Sequence, residues 1–408
     1  VLRAILAVFL VNLNNSAFML ILNIYLAKLG YDDSTIASFV SYRFLGVLLL
    51  GFPFGIFIRG RRLKPWIMAS SLIIPSVSLA ILFVLPLGMD VTVKVLFGLW
   101  GVGMMFIQVS ILPFIMRNAP EEHRSEAISL DFATWSIATI VAGVIISGMD
   151  VMVKQLGYDF DESSALFVIV SLTFAGIFFL FGMGEADPEE GDRSTLDLAK
   201  IRSYYNWPRI LRATLPTVII AVGAGLTIPF MNLFFFTVFE LDYEQFSIMG
   251  SLTALMVTVS SLAVPVVRRR LGYTKTIIGT QVLGIGFLVM LAMTEVFRDL
   301  PGIFIFAFIA YLFRQPLMNM SGPVSSELTM DYVGKKNQEL ISALQSSIWS
   351  ASWFISAKLY QLLRALELEY FKIFLITSLL YSIGTFLYYR LIRHYELVKA
   401  EEQPIKQA

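Results

Sequence analysis

Long apolar runs broken by short polar stretches fill the whole chain. A helix needs about 20 apolar residues to cross a ~30 Å hydrocarbon core. On that ruler the runs predict twelve transmembrane helices, at 4–28, 34–58, 65–87, 94–116, 127–148, 164–183, 209–238, 245–267, 274–294, 302–325, 339–362 and 370–391. A membrane barrel would instead alternate polar and apolar positions over about 10 residues. The expected fold is therefore an all-α integral membrane protein. The polar stretches differ in sign. One set carries Arg59, Arg61, Arg62 and Lys64, then Arg117 and Arg124, Arg193 to Arg209, Arg268 to Arg270, Lys335 and Lys336, and Arg390 to Lys399. The alternate set leans acidic, with Asp32, Asp33, Asp90, Asp159, Glu162, Glu240 and Asp242. Basic loops stay on the cytoplasmic side, so a multi-pass protein of the cell membrane with both termini cytoplasmic is expected.

The pattern also repeats. Asn23 and Asn232, Arg59 and Arg268, and Arg61 and Arg270 are all separated by the same interval of about 209 residues. Leu22-Asn23-Ile24-Tyr25-Leu26 falls on Met231-Asn232-Leu233-Phe234-Phe235 without a gap. Such internal symmetry predicts two pseudo-symmetric six-helix bundles, at 1–183 and 209–391. A polar cytoplasmic linker at 184–208 would join them, part disordered and part interfacial helix, and a cytoplasmic tail at 392–408 would follow.

Composition supports the bilayer as solvent. Of 408 residues, 57% are hydrophobic and 15% charged, and mean hydropathy is +0.74; a soluble domain could not cover that surface with polar groups. The apolar run that opens at Val1 is of spanning length and reads as a true span, not a cleaved signal. The chain has no cysteine and only two histidines, His123 and His394, beside charged loops. Disulfides and thiolate sites are excluded and a histidine metal site is not expected, so no metal and no cofactor is anticipated. With no phosphate-cradling loop, a primary pump would need a second chain. A membrane enzyme would need a clustered nucleophile and base, and no span carries one. The expected partners are the bilayer, a small-molecule substrate and a co-transported proton or counter-anion. No nucleic acid is expected, and the chain is expected to be a monomer.

Charges inside spans carry the candidate chemistry, because each costs several kcal/mol unless it faces a partner or a wet cavity. Arg43 lies about 14 Å inside span 2 and Arg314 about 18 Å inside span 10, at 1.5 Å per residue. Two guanidinium groups near the midplane could converge on an anionic substrate, with bidentate geometry for carboxylate or phosphate; alternatively each braces neighbouring helices. Asp131, near the start of span 5, is a candidate proton carrier or a helix-start carboxylate paired with Arg124. Polar stripes at helical spacing run along span 1 (Asn12, Asn15, Ser16, Asn23) and span 11 (Ser342, Gln345, Trp349, Ser352, Trp353, Ser356). Gln108 on span 4, Asn232 on span 7 and Gln315 on span 10 join them. These residue types line cavities and equally glue helices together. Pro229, after Gly223-Ala224-Gly225, predicts a kink in span 7.

Twelve spans in two repeats, with basic loops after spans 2 and 8, resemble the major facilitator superfamily across essentially the whole chain. Gly60-Arg61-Arg62 is similar to the end of that family's Gly-x-x-x-Asp-Arg-x-Gly-Arg-Arg loop; Phe57 and Ile58 stand in the Asp-Arg places. In the second copy Gly272 fits, with Arg269 and Arg270 in those places. A second echo relates Pro113 through Ser129 to Pro323 through Ser342. The resemblance implies a secondary active transporter working by alternating access. Spans 1, 4, 7 and 10 would line a central cavity, helped by 2, 5, 8 and 11, with 3, 6, 9 and 12 facing lipid. Arg59, Arg61, Arg62, Arg269 and Arg270 would serve cytoplasmic gating. The deep charges all fall in the cavity-lining set. The expected cargo is a small organic anion or anionic amphiphile; the alternative is a proton-coupled multidrug exporter of lipophilic cations, with Asp131 carrying the proton. A non-transporting receptor built on the same scaffold is a third possibility.

Overall fold

The computed structural model describes residues 1–22, 25–26, 29–31, 33–157, 162–186, 205–241 and 243–402. Expectations at Asn23, at the side chain of Asn232, across most of the linker and at the acidic positions Asp32, Asp159 and Asp242 fall outside the described residues.

Every regular element among those residues is helical. Helix α1 (Leu2–Ala17) continues into a π-helical turn at Phe18–Leu22. Then come α2 (Asp33–Phe57), α3 (Lys64–Val84), α4 (Asp90–Asn118), α5 (Arg124–Gln155), α6 (Glu162–Thr173) and α7 (Gly176–Leu180). The rest comprises α8 (Trp207–Thr227), α9 (Met231–Phe239), α10 (Tyr243–Val296), α11 (Ile303–Val333), α12 (Gln338–Ala365) and α13 (Tyr370–Glu402). Together these elements form the twelve transmembrane segments. Helices α6 and α7 share one crossing, as do α8 and α9, while α10 makes two. Among the described residues nine helical stretches are long and apolar enough to span a membrane. The remaining crossings are the second one in α10, α2, whose apolar part is Tyr42–Phe57, and α12, whose serines and glutamine dilute its hydropathy.

Three breaks interrupt the helices, two of them with a residue-level cause. Pro229 cannot donate to the helical ladder, and a 3-10 turn, Ile228–Phe230, interrupts span 7 there. Span 6 divides between Thr173 and Gly176. Within α10 the only non-helical residue is Gly272, with φ 71° and ψ −178°, a region open essentially to glycine alone. The basic stretch at Arg268–Lys275, expected as a loop, is thus helical on both sides of one glycine. Its counterpart after α2 is a turn around Gly60, which has φ 59°.

The chain separates into two units, Val1–Ser194 with Ser342–Ser350, and Thr195–Ile341 with Ala351–Ala408. In the first, α1 is tied to its neighbours by buried side-chain bonds. Asn12 Nδ2 donates to Thr134 Oγ1 (2.9 Å), Asn14 Nδ2 to Thr173 Oγ1 (3.4 Å) and Ser78 Oγ to Asn14 Oδ1 (2.9 Å), and Ser16 and Thr139 share a bond of 3.0 Å. Bonds of this kind between membrane helices contribute about 0.6–2 kcal/mol each.

In the second unit, α8 lies against α12 and α13 through small residues. A Cβ at Gly225 would stand 2.6 Å from Ser356 Cβ, and one at Gly223 3.0 Å from Tyr381 Cε1. Thr227 Oγ1 donates to Thr377 Oγ1 (2.8 Å), Thr217 pairs with the Tyr388 hydroxyl (3.0 Å), and Ser356 Oγ donates to the Val222 carbonyl (2.8 Å). Just past the Pro229 turn, the rings of Phe230 and Tyr360 stack at 3.5 Å.

The two basic stretches are secured differently. In the first unit Glu185 accepts from the backbone N–H groups of Leu63 (2.6 Å) and Lys64 (3.1 Å). A carboxylate there satisfies orphan donors at the start of α3 and sits at the favourable end of the helix dipole. Arg117 Nη1 donates to the Arg61 carbonyl (3.0 Å), and the Arg61 guanidinium lies 3.9 Å above the Phe57 ring. In the second unit Arg268 Nη2 pairs with Glu327 Oε1 at 2.6 Å and donates to the Tyr273 hydroxyl at 2.8 Å. Tyr273 in turn donates to Asp331 Oδ2 (3.4 Å). Acids from elsewhere in each unit thus secure both basic stretches.

Candidate functional site: two buried arginines

Arg43 sits on α2 where that helix crosses α4 closely. Gly101 makes the crossing possible: a Cβ there would lie 2.0 Å from the Arg43 carbonyl oxygen. Gly46 repeats the device, since its Cβ would lie 2.9 Å from the Gly98 carbonyl. The Arg43 side chain is 6% exposed. Its guanidinium lies 4.4 Å from the Trp100 ring and 5.3 Å from that of Phe44. Among the described residues it has no hydrogen-bond acceptor and no carboxylate partner. Ring faces stabilise a cation by about 0.5–2 kcal/mol without occupying its N–H groups. Five donors therefore remain for something else.

Trp100 is itself fixed by rings. Phe18, in the π-helical turn, stacks on it at 5.4 Å, Phe97 meets it edge-on at 6.3 Å, and Phe39 stacks on Phe97 at 6.1 Å. Tyr31 closes the row against Phe39 at 5.3 Å, its hydroxyl donating to the Leu85 carbonyl at 3.2 Å. Tyr31 lies between spans, and burial, followed by the nearby Asp90 carboxylate, pushes its phenol above the ordinary value. The indole N–H of Trp100 is buried and has no acceptor.

Arg314 on α11 is sealed more completely, at 1% exposure. Its Nη1 donates to Gln315 Oε1 (3.0 Å) and its Nη2 to the Tyr381 hydroxyl (3.3 Å). Its Nε–H is buried without an acceptor. No carboxylate pairs with it among the described residues. Here too a glycine faces the backbone, but loosely: a Cβ at Gly284 would lie 3.8 Å from the Arg314 carbonyl and 2.7 Å from the flexible Met318 Sδ.

The other candidates scatter between lining and bracing. Asn15 is fully buried and neither side-chain atom has a partner, whereas Asn12 and Ser16 bond to α5. Asp131 Oδ1 is buried without a hydrogen-bond partner, and no ion pair to Arg124 forms among the described residues. Gln108 and Trp349 are exposed, and Gln315, Gln345 and Trp353 are half-buried. Ser342 and Trp349 group with the first unit and Trp353 and Ser356 with the second. Arg59, Arg61, Arg62, Arg269 and Arg270 belong to the two basic stretches, not to the buried sites. Trp100, Gly101 and Tyr381 were not singled out from sequence; the one advance signal is the Gly98-Leu99-Trp100-Gly101 spacing, which suits a close helix crossing.

A helical, multi-pass membrane protein with a polar residue set buried in each of two units is the class this architecture defines. Residues 4–357 match the profile of the Major Facilitator Superfamily, and the chain belongs to that family. Solved structures share the fold. A bacterial homologue of the iron transporter ferroportin, outward-facing, superposes with a TM-score of 0.77 at 11% identity, covering 96% of this chain and 98% of that one. The Major Facilitator Superfamily transporter FucP, in the outward conformation, superposes with a TM-score of 0.78 at 13% identity, covering 95% and 97%. A variant of the E. coli fucose:proton symporter FucP gives 0.76 at 13%, covering 96% and 97%. No protein of curated function matches the sequence.

Proposed function

We propose that the protein is a secondary transporter that works by alternating access and moves a small organic anion or anionic amphiphile. The observation that carries this reading is Arg43: a buried guanidinium held on aromatic faces, with no acceptor among the described residues. A buried cation of that kind is costly unless a partner arrives, and an anionic group would supply one through charge-assisted bonds. Trp100, itself sealed at 1% exposure, holds the guanidinium in place from one side. Arg314, its Nη groups already bonded to Gln315 and Tyr381, braces its own unit in this reading. Asn15, Gln108, Gln345 and Trp349 complete the lining in this reading. The protein resides in the cell membrane with its basic loops in the cytoplasm.

The test is thermal stabilisation of the purified protein by carboxylates, phosphates, lysolipids and lipophilic cations. A ligand at 100 times its Kd stabilises by about 2.7 kcal/mol. An anion should stabilise the wild type, and Arg43→Ala should abolish that shift in a protein that still unfolds cooperatively. Asp131, with its unpartnered oxygen, favours the second reading, proton-coupled export of lipophilic cations. If cations alone stabilise, and Asp131→Asn removes the effect, the anion reading falls.

A further inference from the structure

Away from both arginines, a cavity of about 350 Å³ opens in the second unit between α8, the end of α11 and α13. That size is at the lower end of the roughly 300–1,000 Å³ typical of small-molecule sites. Its polar lining is Arg212, Arg390, Tyr332 and His394, with no carboxylate among the lining residues. Arg212 Nη1 lies 3.0 Å from His394 Nε2, and the Tyr332 hydroxyl lies 3.4 Å from His394 Nδ1. An arginine can only donate, so Nε2 accepts, Nδ1 carries the proton and the tyrosine oxygen receives it. The histidine therefore adds no anion and leaves the guanidinium charge uncancelled. Neither Arg212 nor Arg390 forms an ion pair among the described residues, and Arg209 adds a third cation, 5.7 Å from the Tyr332 ring. The nearest acid on α13, Glu396, is engaged by Arg393 at 3.8 Å.

The cavity also has an apolar side and a particular height. Leu391 and the Pro216 ring line it. Proline lacks the N–H that would bond the carbonyl four residues earlier, so Pro216 leaves the Arg212 carbonyl without its helical donor. Leu215, in the lining, is 48% exposed, and Leu211 and Phe386 on the same two helices are 62% and 59% exposed, apolar surface that suits lipid tails. Arg212 and Arg390 stand at the ends of the apolar spans, where headgroups lie. Basic pockets between membrane helices at this level suit phosphate-bearing headgroups.

We propose that this cavity binds the phosphate of an anionic phospholipid, with Arg212 and Arg390 clasping the phosphate and Leu215 and Leu391 meeting the first acyl carbons. The site is independent of the transported substrate. To test it, the full chain is delipidated in neutral detergent and titrated with dioctanoyl phosphatidylglycerol, the same-chain phosphatidylcholine or inorganic phosphate. Thermal stability is followed, and bound lipid is counted by native mass spectrometry. Phosphatidylglycerol should act at a concentration about tenfold lower than phosphatidylcholine, in keeping with at least one charge-assisted bond. The Arg212→Gln/Arg390→Gln double variant should lose that preference. Should this variant not fold, Arg212→Lys/Arg390→Lys keeps the charge but not the bidentate geometry and should weaken the preference by about threefold or more. Equal action of the two lipids on the wild type, or a preference unchanged in the variants, overturns the proposal. Inorganic phosphate acting as well as phosphatidylglycerol would make this a site for soluble anions and overturn the lipid assignment.

Discussion

Each unit buries one arginine, and the two are wired differently. Arg43 rests on ring faces and keeps its N–H groups unspent, whereas Arg314 gives two to Gln315 and Tyr381. Behind each arginine stands a glycine on a neighbouring helix segment, but Gly101 is pressed onto a carbonyl oxygen and Gly284 onto a methionine side chain. The basic stretches diverge as well: Glu185 clasps backbone amides in one, and Glu327 pairs with a guanidinium in the other. The repeat thus fixes where the basic stretches sit without fixing what they touch, and it does not relate the two arginines, which lie on spans 2 and 10. Of the two arginines, the one with unspent donors is the better ligand contact, and the one with hydrogen bonds to neighbours is the better brace.

The largest effect expected from this contrast is at the glycines. Gly101→Ala forces a Cβ against rigid backbone and should destabilise the purified protein by about 3 kcal/mol or more, near the upper end of overpacking costs. Gly284→Ala, which asks only a thioether to move, should cost less than about 1 kcal/mol. Similar melting curves for the two would break the comparison. Next comes Glu327→Gln, expected to cost about 1–2 kcal/mol in thermal unfolding. Breaking a fully buried pair costs roughly 3–5 kcal/mol, but Arg268 is 28% exposed and keeps the bond it donates to the Tyr273 hydroxyl. The smallest effect is that of Tyr381→Phe, which removes one neutral partner of Arg314 and should cost about 1 kcal/mol while leaving anion-induced stabilisation unchanged. If anion binding collapsed in that variant with stability intact, the roles assigned to the two arginines would be reversed.

The crossings were legible in the sequence because hydrocarbon tolerates only long apolar helices, and the length ruler found α12 too despite its polar face. The two arginines were legible because charge inside a span is rare. Their surroundings were not. Trp100 lies 57 positions from Arg43, and Tyr381 67 from Arg314, and no local pattern pairs residues at such separations. Polar stripes on α1 read alike whether they line a cavity or join helices; only the structure separates Asn12, bonded to Thr134, from Asn15, which bonds to nothing. The acids that secure the basic stretches, Glu185 and Glu327, come from distant segments and were not legible for the same reason.

The single break in α10 has a consequence in stereochemistry. A Cβ on Gly272 would meet nothing within 4 Å, so bulk is not what the position excludes. With φ 71° and ψ −178°, its backbone is the mirror image of a conformation that any L-residue adopts readily. L-alanine there is strained and D-alanine would be at ease. The position discriminates by handedness alone, and glycine, the one achiral residue in the genetic code, is the only encoded residue that meets its demand.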